Sequence, residues 1–143
     1  MAWDDPKLIE SLRAVPLFTN LDDLALAQIA AVATPVRVQT GHVLMHAGQE
    51  GSGVFIIQEG VVGVEIGGRV IECVPGEMIG ELSLLVDGLV HTGRVRALGA
   101  VECLAISRDD FGHLLETEPR IAVNMLKVLA TRLANTDRLL AES

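Results

Sequence analysis

Between Pro35 and Ile106 the chain is a succession of short valine- and isoleucine-rich runs punctuated by glycine, and no other feature restricts the fold as much. Val36 to Val38, His42 to Met45, Val54 to Ile57, Val61 to Ile66, Arg69 to Val74, Arg94 to Leu98 and Val101 to Ile106 are the strand candidates. Short β-branched runs with this punctuation read as a closed antiparallel β-structure. Gly67-Gly68 predicts a two-residue hairpin turn, because both central positions can take positive φ without a steric penalty. Gly60 fits another turn, and Gly48, Gly51 and Gly53 mark a mobile loop between strands.

Helical periodicity flanks this block on both sides. Asp4, Asp5 and Pro6 open a helix over residues 4–14, with Leu8, Ile9 and Leu12 on one face, and Val15 to Phe18 ends it. Asn20 is the expected N-cap of a second helix whose apolar face is Leu21, Leu24, Ile29 and Val32. Ser107, with Asp110 three residues on, caps the return to helix after the strands. Phe111, Leu114 and Leu115 are expected to face the sheets, and Glu118-Pro119 breaks this helix and begins another. That last helix, from Pro119 to about Leu140, carries Ala122, Leu126, Leu129, Leu133, Thr136 and Leu140 at spacings of 4, 3, 4, 3 and 4, a heptad seam. Ile121, Met125 and Val128 form a second face to pack on the strands. The seam is either one side of a wide apolar face buried within its own domain or a free surface for a partner helix.

These patterns predict an α+β protein in one domain over 1–143, with N-terminal helices over 1–33, a β-barrel over 35–106 and C-terminal helices over 107–141. Eleven basic residues against nineteen acidic give a net charge of -8 with no basic helix or lysine-rich tail, which argues against direct nucleic-acid binding. No run approaches the roughly eighteen apolar residues of a membrane span, and no signal peptide is visible, so a cytoplasmic location is expected. Cys73 and Cys103 read as small buried thiols. His42, His46 and His113 lack metal-ligand spacing with each other or with a cysteine, so no metal is expected. Nothing supplies an activated nucleophile or a paired acid and base, so the chain is not expected to be an enzyme.

The chemistry concentrates in GEMIGELSLLVDGLVHTGRVRA, residues 76–97. Gly80, Glu81, Leu82 and Ser83 open a one-turn helix whose free backbone N–H groups and dipole favour an anion, most naturally a phosphate. Glu81 would place a carboxylate beside that phosphate. Such a carboxylate makes sense if it accepts from a hydroxyl on the same ligand, the logic of recognising a ribose phosphate.

Gly76, Glu77, Gly80, Glu81, Leu84 and Leu85, followed by Thr92, Val95, Arg96 and Ala97, resemble the phosphate-binding cassette of the cyclic nucleotide-binding domain family. That family includes the catabolite activator protein and the regulatory subunits of protein kinase A. The phrase V-P-L-F-x-x-L from Val15 is similar to the family's lead-in, and the spacing around Gly60 to its jelly-roll barrel. The resemblance implies an antiparallel β jelly-roll binding cyclic AMP or a related cyclic nucleotide. Gly80, Leu82, Ser83 and Thr92 would receive the phosphate, and Glu81 the ribose hydroxyl. Val64, Val74, Ile79 and Leu82 are residues of the kind that wall a base pocket. His91 stands where the family places the arginine that pairs with the cyclic phosphate. Arginine offers a permanent charge and a two-pronged donor, whereas histidine becomes cationic only near pH 6.5 unless its surroundings raise that value. Arg94 is no obvious substitute, because with Arg96 it has the opposite strand parity, and both are expected to be solvated or paired with surface carboxylates.

Thr136 is either bonded to the preceding helical turn or falls where the family's last helix supplies a threonine to the adenine amino group. The resemblance also favours a parallel homodimer through the seam. Two functions follow: a cyclic nucleotide sensor coupled to its C-terminal helix, or a degenerate domain that binds no nucleotide and serves as a dimerisation module.

Overall fold

A computed structural model describes residues 6–48, 53–81, 85 and 93–142. Helix α1 (Pro6–Arg13) is followed by a 3-10 turn (Pro16–Phe18) and α2 (Asp23–Val32). Strands β1 (Thr34–Val38), β2 (Val43–Met45), β3 (Gly53–Glu59), β4 (Val62–Ile66), β5 (Arg69–Cys73), β6 (Met78–Ile79), β7 (Arg94–Ala97) and β8 (Val101–Ser107) come next. Helices α3 (Arg108–Thr117) and α4 (Pro119–Glu142) close the chain. Parts of the expected first helix and of the Gly48–Gly53 loop lie outside the described residues.

Among the described residues the strands form two four-stranded sheets, ordered β1-β8-β3-β6 and β2-β7-β4-β5, with every pairing antiparallel. This is the mixed helix and antiparallel-sheet architecture that the sequence predicts. Gly67 (φ 56) and Gly68 (φ 79) form the two-residue turn that pairs Ile66 with Arg69. Strand β6 is the element that composition missed. It is two residues long, lies between Gly76 and Gly80, and pairs Met78 and Ile79 with β3.

The two sheets are buried differently. Ile57, Ile79, Val101 and Cys103 of the first sheet meet Met45, Val62, Cys73, Val95 and Ala97 of the second in one apolar cluster. The alternate residues of the first sheet, Val54, Ile56, Met78, Leu104 and Ile106, face the other way. They are covered by Leu12, Phe18, Leu26, Ile29, Phe111, Ile121 and Met125 of the helices. Period-2 alternation therefore sends both faces of the first sheet into apolar surroundings, whereas the second sheet buries one face.

The helix caps follow from local chemistry. Ser107 Oγ accepts from the Asp110 N–H at 3.1 Å, as expected. At α2 the expectation fails: the cap is Asp22, whose carboxylate accepts from the Ala25 N–H at 2.8 Å, and Asn20 instead takes left-handed φ of 65°. Asparagine tolerates that conformation, and a carboxylate is the better partner for the positive end of a helix. The buried face of α2 is Ala25, Leu26, Ile29 and Ala30, and Leu24, expected inside, is exposed. Among the described residues no helix is long and apolar enough to cross a membrane.

Candidate functional site

The entrance to the cassette is built on β3. Ile57 accepts from the Gly76 N–H at 2.7 Å and donates to the Glu77 carbonyl at 3.0 Å, while Glu77 Oε1 accepts from the Val74 N–H at 3.1 Å. The chain then passes through β6 to Gly80, at φ 94. A Cβ there would stand 2.5 Å from Met45 Cε and 2.7 Å from the Gly53 carbonyl oxygen. Glycine is required twice over, by left-handed φ and by close approach of backbone.

The next residue, Glu81, is helical and 4% exposed. Burying a carboxylate is costly unless it is paired. Arg132 of α4 supplies the pair: its Nη1 donates to Glu81 Oε1, and its Nη2 donates to the Met78 carbonyl at 2.9 Å. The guanidinium thus joins the last helix to both the carboxylate and the strand that precedes it. The sequence reading missed Arg132. One signal was available, since Arg132 lies four residues before Thr136 and so shares its helical face.

The other expected site residues divide into groups. Leu82, Ser83, His91 and Thr92 lie outside the described residues. Thr136 is exposed, and its hydroxyl donates to the Arg132 carbonyl at 3.0 Å, the backbone-bonded state that its sequence also allowed. Ile79 is buried in the cluster between the sheets and Val64 packs at its edge. Val74, expected in a pocket wall, is 45% exposed, because it lies past the end of β5 in the turn before Gly76.

Arg94 and Arg96 turn away from the cluster that takes Val95 and Ala97, and both approach Glu65 on β4. Arg94 Nη2 donates to Glu65 Oε2 at 2.7 Å, and Arg96 Nε lies 3.1 Å from Oε1 without hydrogen-bond geometry. The bond from Arg94 holds the Glu65 carboxyl below its ordinary pKa, against an opposing effect of desolvation.

Beside the Arg132–Glu81 pair lies a cleft of about 430 Å³. Leu17 and Thr19 of the 3-10 turn region line it, with Glu77 and Met78 of the cassette entrance and Asn124 and Arg132 of α4. Asn124 is a second polar residue that the sequence reading did not single out. It is 6% exposed, and its Nδ2 donates to the Leu17 carbonyl at 2.9 Å and the Thr19 carbonyl at 2.8 Å.

Residues 35–118 match the family profile described as the cyclic nucleotide-binding domain. The HTH-type transcriptional regulator Cmr of Mycobacterium tuberculosis is 34% identical over 115 residues, covering 74% of this chain and 46% of that protein. Among solved structures, the catabolite activator protein of Thermus thermophilus is similar with a TM-score of 0.78 and 28% identity, covering 88% of this chain and 62% of that one. A regulatory subunit of a cAMP-independent protein kinase A from Trypanosoma cruzi, bound to guanosine, is similar with a TM-score of 0.71 and 29% identity, covering 82% of this chain and 42% of that one. The chain thus spans less than two thirds of the length of each of these relatives. The matched region covers more than half of the chain and takes in residues 76–97 and the described strands from Pro35 of β1 onward, and on that ground the chain belongs to the cyclic nucleotide-binding domain family.

Proposed function

We propose that residues 1–143 act as one cyclic nucleotide sensor domain that binds cyclic AMP at the cassette and passes the event to α4. The observation that carries this reading is the buried Glu81 carboxylate held by Arg132. A ligand hydroxyl donating to Glu81 would sit against a guanidinium that belongs to the last helix. The ligand would then favour whichever arrangement of α4 gives the best contacts, shifting an equilibrium by differential affinity. Gly80, Leu82, Ser83 and Thr92 would receive the phosphate, His91 would pair with it, and Thr136 would approach the base by giving up its bond to the preceding turn. The seam on α4 would pair two copies in parallel. No chemical step is needed for this function, and the chain acts without catalysis in a cytoplasmic setting.

Histidine in place of arginine at position 91 supports a second reading, a degenerate domain that keeps the fold and the dimer helix and binds no cyclic nucleotide. Losing a charge-assisted phosphate contact costs about 2 kcal/mol, roughly thirtyfold in affinity. The guanosine-bound relative makes a nucleoside without phosphate a ligand to include in the same test. Calorimetric titration with cyclic AMP, cyclic GMP and guanosine at pH 6 and pH 8 separates these readings. Tighter cyclic AMP binding at pH 6, together with a gain of about tenfold or more for His91→Arg at pH 8, is expected of the sensor. Absence of binding at millimolar nucleotide at both pH values, with no gain in the variant, selects the degenerate module.

A further inference from the structure

Asn124 is a polar side chain in the otherwise apolar contact between α4 and the helical core. Its neighbours in that contact include Ile121 and Met125, both buried. Apolar packing is weakly directional, so these residues hold α4 against the core with less angular definition than a hydrogen bond gives. The amide is different. Both of its N–H groups are directed at carbonyl oxygens, 2.9 and 2.8 Å away, and two acceptors identify the nitrogen side of the amide.

The acceptors are themselves fixed. Phe18 N–H donates to the Val15 carbonyl at 2.9 Å, and Thr19 Oγ1 donates to the Pro16 carbonyl at 2.8 Å. Asn20 then turns the chain aside with left-handed φ. The bulge of chain between α1 and α2 therefore presents two carbonyls to one point on α4.

Arg132 lies eight residues further along the same helix, about 12 Å away at the α-helical rise. At that distance a small tilt or rotation at Asn124 displaces the guanidinium by ångströms, enough to lose a bond to Glu81 or to the Met78 carbonyl. We infer that Asn124 is a positioning residue: by fixing α4 on the 3-10 turn region, it sets the place from which Arg132 reaches Glu81. Its effect on ligand affinity rests on the reading of Glu81 as part of a cyclic nucleotide site, whereas its effect on the Arg132–Glu81 pair does not.

Two measurements on Asn124→Leu test this, with Asn124→Ala as the second variant if the leucine protein does not fold. The first is the ¹⁵N NMR signal of Arg132 Nε–Hε, assigned by its loss in Arg132→Lys. Asn124→Leu should move this signal towards that of exposed arginines and speed its exchange with water about tenfold or more. An unchanged signal overturns the inference. The second is cyclic AMP affinity in a double-mutant cycle with Arg132→Ala. Asn124→Leu should weaken binding at least fivefold alone and less than twofold in the Arg132→Ala background, while lowering the thermal midpoint in both. An equal loss of affinity in both backgrounds overturns the inference, because it assigns Asn124 a purely structural role. If the unmodified protein binds no cyclic AMP, the proposed function fails, and the NMR result alone decides the role of Asn124.

Discussion

Gly80 shows how much one backbone position can carry. Its left-handed φ places the chain so close to the Gly53 carbonyl and Met45 that a side chain has no room. Gly80→Ala should destabilise the protein by about 1–3 kcal/mol from backbone strain alone, more if the carbonyl contact is not relieved. Urea denaturation checks this, and Gly67→Ala, whose Cβ meets nothing within 4 Å, is the control for the φ penalty alone. Gly80 and Glu81 were legible in the sequence because their chemistry is local: a glycine, then a carboxylate, at the opening of a helix. Arg132 and Asn124 were not. Arg132 is separated from Glu81 by 51 residues and Asn124 from Leu17 by 107, so each pairing exists only after α4 has crossed the core. Polar residues on a helix read as solvated until the helix is docked.

At the scale of elements, α4 divides into the two faces that its periodicity predicts, with Leu129 the departure. Ile121 and Met125 are buried, while Leu126, Leu133 and Leu140 are 68%, 63% and 68% exposed. Leu129, counted with the seam, packs at the edge of the helical core, and Val128 lines the cleft. Three exposed leucines at seven-residue intervals are what a left-handed helix pair requires. If the seam dimerises the protein, Leu126→Ser with Leu133→Ser should convert it to monomer at micromolar concentration with a far-ultraviolet dichroism spectrum little changed. Sedimentation velocity checks the mass, and a monomeric parent protein would remove the dimer from the account. The error at α2 has a different origin. Leu24 fits an apolar stripe only when Leu21 is counted in the helix, and Leu21 precedes it. Leu24 and Ile29 stand five residues apart, about 140° around any α-helix, so a face centred on Leu26 and Ile29 leaves Leu24 outside.

Across the whole molecule, the first sheet is covered on one side by the second sheet and on the other by helices, and the two thiols lie in the layer between the sheets. Burial pushes the Cys73 and Cys103 thiols up to about 11. Both should resist alkylation at pH 8 in the folded protein and react promptly in denaturant, which a timed thiol assay measures. The same shift fixes an alkaline limit. The unfolded chain releases these protons from about pH 9 while the folded chain retains them to about 11, so stability should fall as pH rises through that window. Strand texture and glycine placement made the sheets legible, since alternation and tight turns are local properties. The layering was legible only in part, because the coverage of the first sheet on both faces depends on where the terminal helices dock. That docking brings Arg132 of α4 to Glu81, and the proposed ligand contact at Glu81 depends on it. Calorimetric titration of cyclic AMP at pH 6 into the unmodified protein and Glu81→Gln tests it most directly. Saturable binding by the unmodified protein, weakened about tenfold or more in the variant, is the predicted result. Equal affinity in the two proteins would contradict it.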